Sequence, residues 1–316
     1  MDFKRIDDRA FVEALRAKAI GPRADYKAFY SSFLGGITTE PHHMVVPIDD
    51  HMVHRGDAVF EAIKFHDGGI FALDRHLERL EKSAQTVGFS GLWSRPQMVA
   101  MISETVRVSE LRHGLIRLFV ARGPGGFTTN PYETIGTQVY CAVTKLAPPP
   151  AEKYVSGVRV GQSAIAVKEG FFARTKTCNY LPNVLMKKEA VDRGFDFVVS
   201  VDEDGFIAES STENFAMIDA DGVLVVPAFE RILRGVTAIR AMEVAKMAGL
   251  KVENRRFLPT ELQRAKGALM LGTTIDVLPV KSFEAHEFGV IPDECRTLMR
   301  TFDEDLRSGP LNLPLL

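Results

Sequence analysis

The 316-residue sequence has only three cysteines, Cys141, Cys178 and Cys295, far apart and odd in number. They support neither a disulfide framework nor a CxxC metal knuckle, so they read as reduced thiols. Charge of one sign is also lacking: 39 Lys and Arg against 41 Asp and Glu leave a net formal charge of -2, which excludes a strongly basic nucleic-acid binder. No run approaches the roughly 18 apolar residues that a membrane-spanning helix needs. The N-terminus MDFKRIDDRAF shows neither an apolar signal core nor a small-residue cleavage site, so a cytoplasmic protein is expected. Internal repeats and low-complexity tracts are missing too. What remains is a soluble globular composition, 46% apolar and 25% charged, at a length that suits two ordinary domains.

Residues 1–28 are charged and helix-permissive and read as an N-terminal helical extension. From Phe29 short apolar runs alternate with turns. In AVFEAIKF, Val59, Glu61 and Ile63 alternate with Phe60, Ala62 and Lys64, the period of a strand. HDGG at 66–69 predicts a hairpin. Asp74 is expected to cap a helix whose apolar stripe is Leu77, Leu80 and Ala84 and whose end is Gly88; a second helix follows over 95–108 and a strand over 114–123.

APPP at 147–150 excludes both helix and central strand, so the domain boundary belongs there: 29–146 before it, a linker at 147–152, and 153–316 after it. The second half reads as a strand (VRVGQSAIAV), an irregular stretch (KEGFFARTKTCNY), a helix with Pro182 at its first position and Gly194 just past its end, and two hairpins around Asp-Gly turns. GVTAIRAMEVAKMAGL is a helix, KVENRRF a strand, and GALMLGTTIDVLPV an apolar strand interrupted by Gly-Thr-Thr. Hairpins this frequent indicate mixed α and β structure, not a doubly wound parallel sheet.

Several familiar motifs fail. ARGPGGF carries Gly123, Gly125 and Gly126 but no following Gly-Lys-Ser/Thr, and Pro124 removes an amide, so it reads as a turn. Four histidines lie between 42 and 54, yet adjacent His42 and His43 would point to opposite faces of a strand, and no metal site is read. No serine sits in GxSxG.

A different set coheres. GVT at 235–237 opens a helix and GTT at 272–274 forms a second polar loop; helix N-terminal amides plus threonine hydroxyls make a phosphate site without a Walker lysine. Lys176 lies in the polar, non-helical RTKTCNY, and Glu209 ends the strand GFIAES before a Ser/Thr cluster. An amine, a carboxylate and a phosphate cradle are what pyridoxal 5'-phosphate requires, the amine for a Schiff base and the carboxylate for the pyridinium nitrogen. Singly, each has a plain structural reading: most lysines are solvated, and most strand-end glutamates lie at the surface.

The blocks KTCNYLPNVLMKKEA, DEDGFIAESSTEN, LRGVTAIRAMEVA and LGTTIDVLPV, in this order, resemble the class IV (fold type IV) pyridoxal-phosphate enzymes. That family comprises branched-chain aminotransferases, D-amino acid aminotransferases and aminodeoxychorismate lyases. HRGDAVFEAIKF and DRHLERL resemble its N-terminal part. The resemblance implies an α/β (α+β) two-domain fold, a small N-terminal α/β domain and a larger C-terminal cofactor-binding domain around a barrel-like sheet, in a homodimer.

It further implies that Lys176 is the Schiff-base lysine, that Glu209 holds the pyridine nitrogen protonated, and that Arg79 reaches the cofactor phosphate. Val236, Thr237, Thr273 and Thr274 would donate to that phosphate and, at Thr274, to the adjoining substrate carboxylate. Tyr180 would lie near the cofactor's phenolic oxygen. Phe60 and Arg117 match substrate-side positions, with Arg122 competing for the second.

Where the family usually reads Glu-Gly, this chain reads Glu209-Ser210. VFEAIKF follows the aminotransferase pattern, while KTCNYLPNVL is spaced like the D-amino acid aminotransferase and lyase branches. The expected function is amino transfer between an amino acid, branched-chain or D-amino acid in type, and a 2-oxo acid in two half-reactions. The alternatives are an aminodeoxychorismate lyase that releases pyruvate with the same lysine, and a non-catalytic small-ligand-binding α/β protein. Neither a nucleic acid nor a membrane is expected as partner.

Overall fold

The computed structural model describes residues 3–18, 21–168 and 170–314. It divides into two units. One takes the chain up to Ile70 together with Leu77–Leu146, and the other takes Phe71–His76 with Ala147–Leu313.

In the first unit α1 (Asp8–Ala17) is capped by the Asp7 carboxylate, which accepts from the Ala10 amide. Strands β1 (Tyr26–Ser31), β2 (Gly36–Thr38), β3 (Ala58–His66), β4 (Gly69–Phe71), β5 (His113–Ala121) and β6 (Gln138–Thr144) lie in the antiparallel order β4-β3-β5-β6-β1-β2. The first strand begins at Tyr26, ahead of the expected Phe29, because Tyr26 already pairs with Thr144. Period-2 alternation places Val59 and Ile63 of β3 on one face with Ile116, Leu118 and Val120 of β5 and Val139, Cys141 and Val143 of β6, all buried. Burial pushes the Cys141 thiol up to about 12, so it is an inert core group.

Onto this face come α3 (Leu73–Thr86), with Leu77, Leu80 and Ala84 buried, and α4 (Arg95–Val108), which packs on β1 and β6. The first of these helices starts at Leu73, so Asp74 lies in its first turn and complements the helix dipole there instead of capping it. The short α2 (His51–Arg55) is capped by Asp50, which is fully buried and accepts from the Met52 amide and, at 2.7 Å, from Tyr140 Oη.

In the second unit α5 (Ala151–Ser156) begins inside the expected linker. Strands β7 (Val158–Gln162), β8 (Phe197–Val201), β9 (Ile207–Ser210) and β10 (Asn214–Ile218) join β13 (Gly267–Gly272) and β14 (Asp276–Phe283) in a closed ring, β10-β13-β14-β7-β8-β9-β10. Closure pairs every strand of the ring on both edges. From β10 the sheet continues through β11 (Leu224–Val226) to β12 (Val252–Asn254), the short form of the strand expected over KVENRRF.

Val160, Val199, Phe215, Met270 and Leu278 belong to one buried cluster of this unit. The strand expected over VRVGQSAIAV stops at Gln162, because Ser163 Oγ and the Ala164 amide turn away to the Glu189 carboxylate on α7 (Leu181–Asp192). The irregular stretch that follows contains one helical turn, α6 (Gly170–Ala173).

A second cluster joins α8 (Val236–Met247) to α9 (Asp293–Ser308) through Ala238, Ala241, Leu298 and Phe302, with the Phe71 ring edge-on to Phe302 at 5.9 Å. Arg240, nearly buried, pairs with Asp305 through two bonds of 2.9 and 2.6 Å and with Glu243, which in turn pairs with Arg75. Among the described residues no helix is long and apolar enough to cross a membrane.

Candidate active site

Between α6 and α7 the chain is tied by short-range bonds. Thr175 Oγ1 donates to the Phe171 carbonyl at 2.8 Å, the Thr177 amide to Thr175, and the Tyr180 amide to Cys178, before Pro182 opens the next helix in its first turn. This loop holds Lys176 inward with 9% exposure. A buried amine needs a partner. Its Nζ donates to Tyr180 Oη at 3.3 Å.

Glu209 arrives at the end of β9, where it pairs with Asn214 and helps close the barrel. One carboxylate oxygen accepts the Leu233 amide at 3.1 Å, while Asn214 Nδ2 donates to the Leu233 carbonyl at 3.0 Å, so the segment entering α8 is anchored to the same strand end. Gly235 leaves room for the Asn214 side chain at that helix start: a Cβ there would lie 1.9 Å from Asn214 Oδ1, so that amide would have to move.

These elements border an open cleft lined by Lys168, Lys176, Tyr180, Asn183, Glu209, Ser210, Ser211, Thr212 and Leu233 with Ala173 and Thr175. The structure therefore brings Lys176, Tyr180 and Glu209 together. Val236 and Thr237 form the first turn of α8, and Thr273 and Thr274 lie in the turn between β13 and β14; all four belong to the same unit but do not line this cleft.

Phe60, Arg79 and Arg117 belong to the other unit. The Phe60 ring stacks on Phe119 with centroids 5.9 Å apart. Arg117 is exposed on β5 opposite Ala62. Arg79 reaches from α3 to the fully buried Glu61 through bonds of 2.7 and 2.6 Å. Arg122 is taken up by Asp57, by the Val87 and Gly88 carbonyls and by the Phe89 ring, an arrangement that marks it as structural and leaves Arg117 as the arginine with an exposed head.

The cleft suits a polar, aromatic ligand of pyridoxal-phosphate type. Ser210 Oγ and Asn183 Oδ1 are buried in its wall without a hydrogen-bond partner. An unsatisfied buried polar atom costs about 1 to 3 kcal/mol, so such atoms facing a cleft argue for a ligand that satisfies them. The Glu209-Ser210 departure thus supplies a hydroxyl where glycine would offer none. An amine, a phenol, a carboxylate and these two atoms match an aldehyde, a phenolic oxygen and a ring nitrogen in one ligand.

Lys168, Asn183 and Leu233 were not indicated by the sequence. Asn183 reads as a solvated residue of a helix turn, yet its Nδ2 donates to the Ser211 carbonyl. Lys168 carried one weak signal, a second lysine in the non-periodic stretch that holds Lys176. Its ammonium is held below the usual lysine range, first by burial and then by the charge of Lys176, with Glu209 opposing. Among the described residues His66, Asp67 and His113 also place potential metal-ligand atoms within 4.8 Å of one another, but Asp67 is already engaged by Arg112.

Residues 58–283 match the family described as amino-transferase class IV. The chain belongs to the class IV aminotransferases. It is 34% identical over 301 residues to the chloroplastic D-amino-acid transaminase of Arabidopsis thaliana, covering 92% of this chain and 79% of that one. A putative branched-chain-amino-acid aminotransferase of Methanocaldococcus jannaschii is 28% identical over 78% of this chain and 86% of its own length. Among solved structures, the T.th. branched-chain amino acid aminotransferase with pyridoxamine 5'-phosphate superposes with a TM-score of 0.83 at 25% identity, covering 90% of this chain and 96% of that one. The protein is thus an aminotransferase of the pyridoxal-phosphate-dependent class IV group, with the mixed α and β fold of that group.

Proposed function

We propose that this class IV aminotransferase carries its cofactor on Lys176 and moves an amino group between a small or apolar amino acid, branched-chain or D-amino acid in type, and a 2-oxo acid. The observation that carries the reading is the meeting of Lys176, Tyr180 and Glu209 in one cleft. When bound, pyridoxal phosphate supplies an electron sink for the bonds at the substrate α-carbon. Lys176 Nζ would hold the cofactor covalently and, once released from it, would move the proton between that carbon and the cofactor carbon to which the lysine had been attached. Tyr180 Oη orients the amine. Glu209 holds a proton on the ring nitrogen, while Leu233, by donating to the same carboxylate, fixes its direction.

In this proposal Arg79, Val236, Thr237, Thr273 and Thr274 hold the phosphate, and Phe60, Arg117 and Thr274 receive the substrate. The fork of donors on Arg79 suits a phosphate, as it suits Glu61. The protein acts as a cytoplasmic homodimer in the same reading. The Arabidopsis relative is named chloroplastic, so fractionation tests the compartment and light scattering the dimer. The test of function is a screen of D- and L-amino donors against several 2-oxo acids with a pyruvate-release assay on aminodeoxychorismate beside it. Transamination above all other turnover is the expected result, and pyruvate release far above any transamination contradicts it.

A further inference from the structure

Lys168 lines the same cleft as Lys176 from the non-helical segment between β7 and α6. Its Nζ stands 4.8 Å from the centre of the Tyr180 ring. The Nζ of Lys176 lies 5.8 Å from that same centre and donates to the phenol at 3.3 Å. Two amines therefore meet one tyrosine, Lys168 at its ring and Lys176 at its hydroxyl, a geometry in which the ring attracts the first and the two cations repel each other.

The titratable groups lining the cleft are Lys168 from the segment after β7, Lys176 from the loop before α7, Tyr180 at the start of that helix and Glu209 from β9. One carboxylate faces two amines. Lys176 is buried where Lys168 is half-buried.

We infer that Lys168 is a positioning residue of the transfer site: it clamps the Tyr180 ring in place against Lys176 Nζ and, by its positive charge, repels the proton on that amine. A lysine beside a second cation is a known route to a nucleophilic amine at neutral pH. The mutual charge effect of Lys176 on Lys168, added to burial, is consistent with that coupling. The inference rests on the proposed role of Lys176 as the cofactor-bearing amine.

The test labels the full-length chain, freed of cofactor, with acetic anhydride across pH and follows the Lys176 peptide by mass spectrometry. Lys168→Met removes the charge and keeps the bulk, Lys168→Gln is a second neutral replacement should the first fail to fold, and Lys168→Arg keeps the charge. Thermal transitions show that each variant is folded. Either neutral variant should raise the labelling midpoint of Lys176 by about one unit, equivalent to about tenfold less free amine at neutral pH, while Lys168→Arg keeps the wild-type midpoint. A midpoint unmoved in a folded neutral variant, or moved equally by Lys168→Arg, overturns the inference. Borohydride reduction of the cofactor-loaded wild type is read separately: no adduct on Lys176 overturns the proposed function, whereas an intact adduct with an unmoved midpoint overturns the role of Lys168 alone.

Discussion

Glu209→Gln separates the charge of this residue from its shape. The Leu233 amide donates to the Glu209 carboxylate at 3.1 Å, and a glutamine carbonyl oxygen accepts the same bond. A hydrogen bond to a charged acceptor contributes about 1.5 to 3 kcal/mol and a neutral one about 0.5 to 1.5, so the substitution costs about 1 kcal/mol of stability. For a chain of this size that is a fall of roughly 1.5 °C in Tm. The chemical step loses far more. Removing one preorganised electrostatic partner of a charge that develops in the transition state slows the reaction roughly 100- to 1000-fold, or about 2.7 to 4 kcal/mol. Scanning calorimetry gives the first number, and rapid-mixing single turnover with an α-deuterated amino donor gives the second. A single-turnover rate within about threefold of wild type, at full cofactor loading, would refute the assignment of the carboxylate to the ring nitrogen.

Gly235→Ala forces its Cβ against Asn214 Oδ1 and breaks the Asn214–Leu233 bond, so it should cost about 1 to 3 kcal/mol and weaken cofactor retention; an unchanged Tm contradicts this. Arg79→Ala takes two charge-assisted bonds from the buried Glu61, so it should destabilise by about 3 kcal/mol besides lowering cofactor affinity. Combining Arg79→Ala with Glu61→Leu should restore much of the stability and none of the affinity, and recovery of both would assign Arg79 to the fold alone. Asp305→Ala strips the nearly buried Arg240 of its bidentate partner and should lower stability by about 3 kcal/mol in urea unfolding, an effect that an unmoved midpoint would exclude.

The sequence revealed the features set by local chemistry. Asp-Gly turns betray the β8–β9 and β10–β11 hairpins because Gly205 and Gly222 take left-handed φ values of 81° and 82°. The start of α8 and the interruption between β13 and β14 are legible because Gly-Val-Thr and Gly-Thr-Thr break the apolar pattern on either side. Lys176 and Glu209 stood out as charged residues in unusual local settings. Features set by distant partners were hidden. The end of β7 at Gln162 depends on Glu189, and the closure of the barrel on a pairing of Glu209 with Asn214. The Glu61–Arg79 pair left a trace: a glutamate between Val59 and Ile63 on an apolar strand face needs a cation inside, although nothing local says which. Lys168 left almost none, since its position over Tyr180 is made by the fold.

The most direct test of the account is the attachment point of the cofactor, because two lysines line one cleft and only one is assigned to carry it. Borohydride reduction of the cofactor-loaded protein followed by peptide mapping should place the phosphopyridoxyl group on Lys176 and abolish turnover, and Lys176→Ala should yield no adduct. An adduct on Lys168, or on any other lysine, would contradict it.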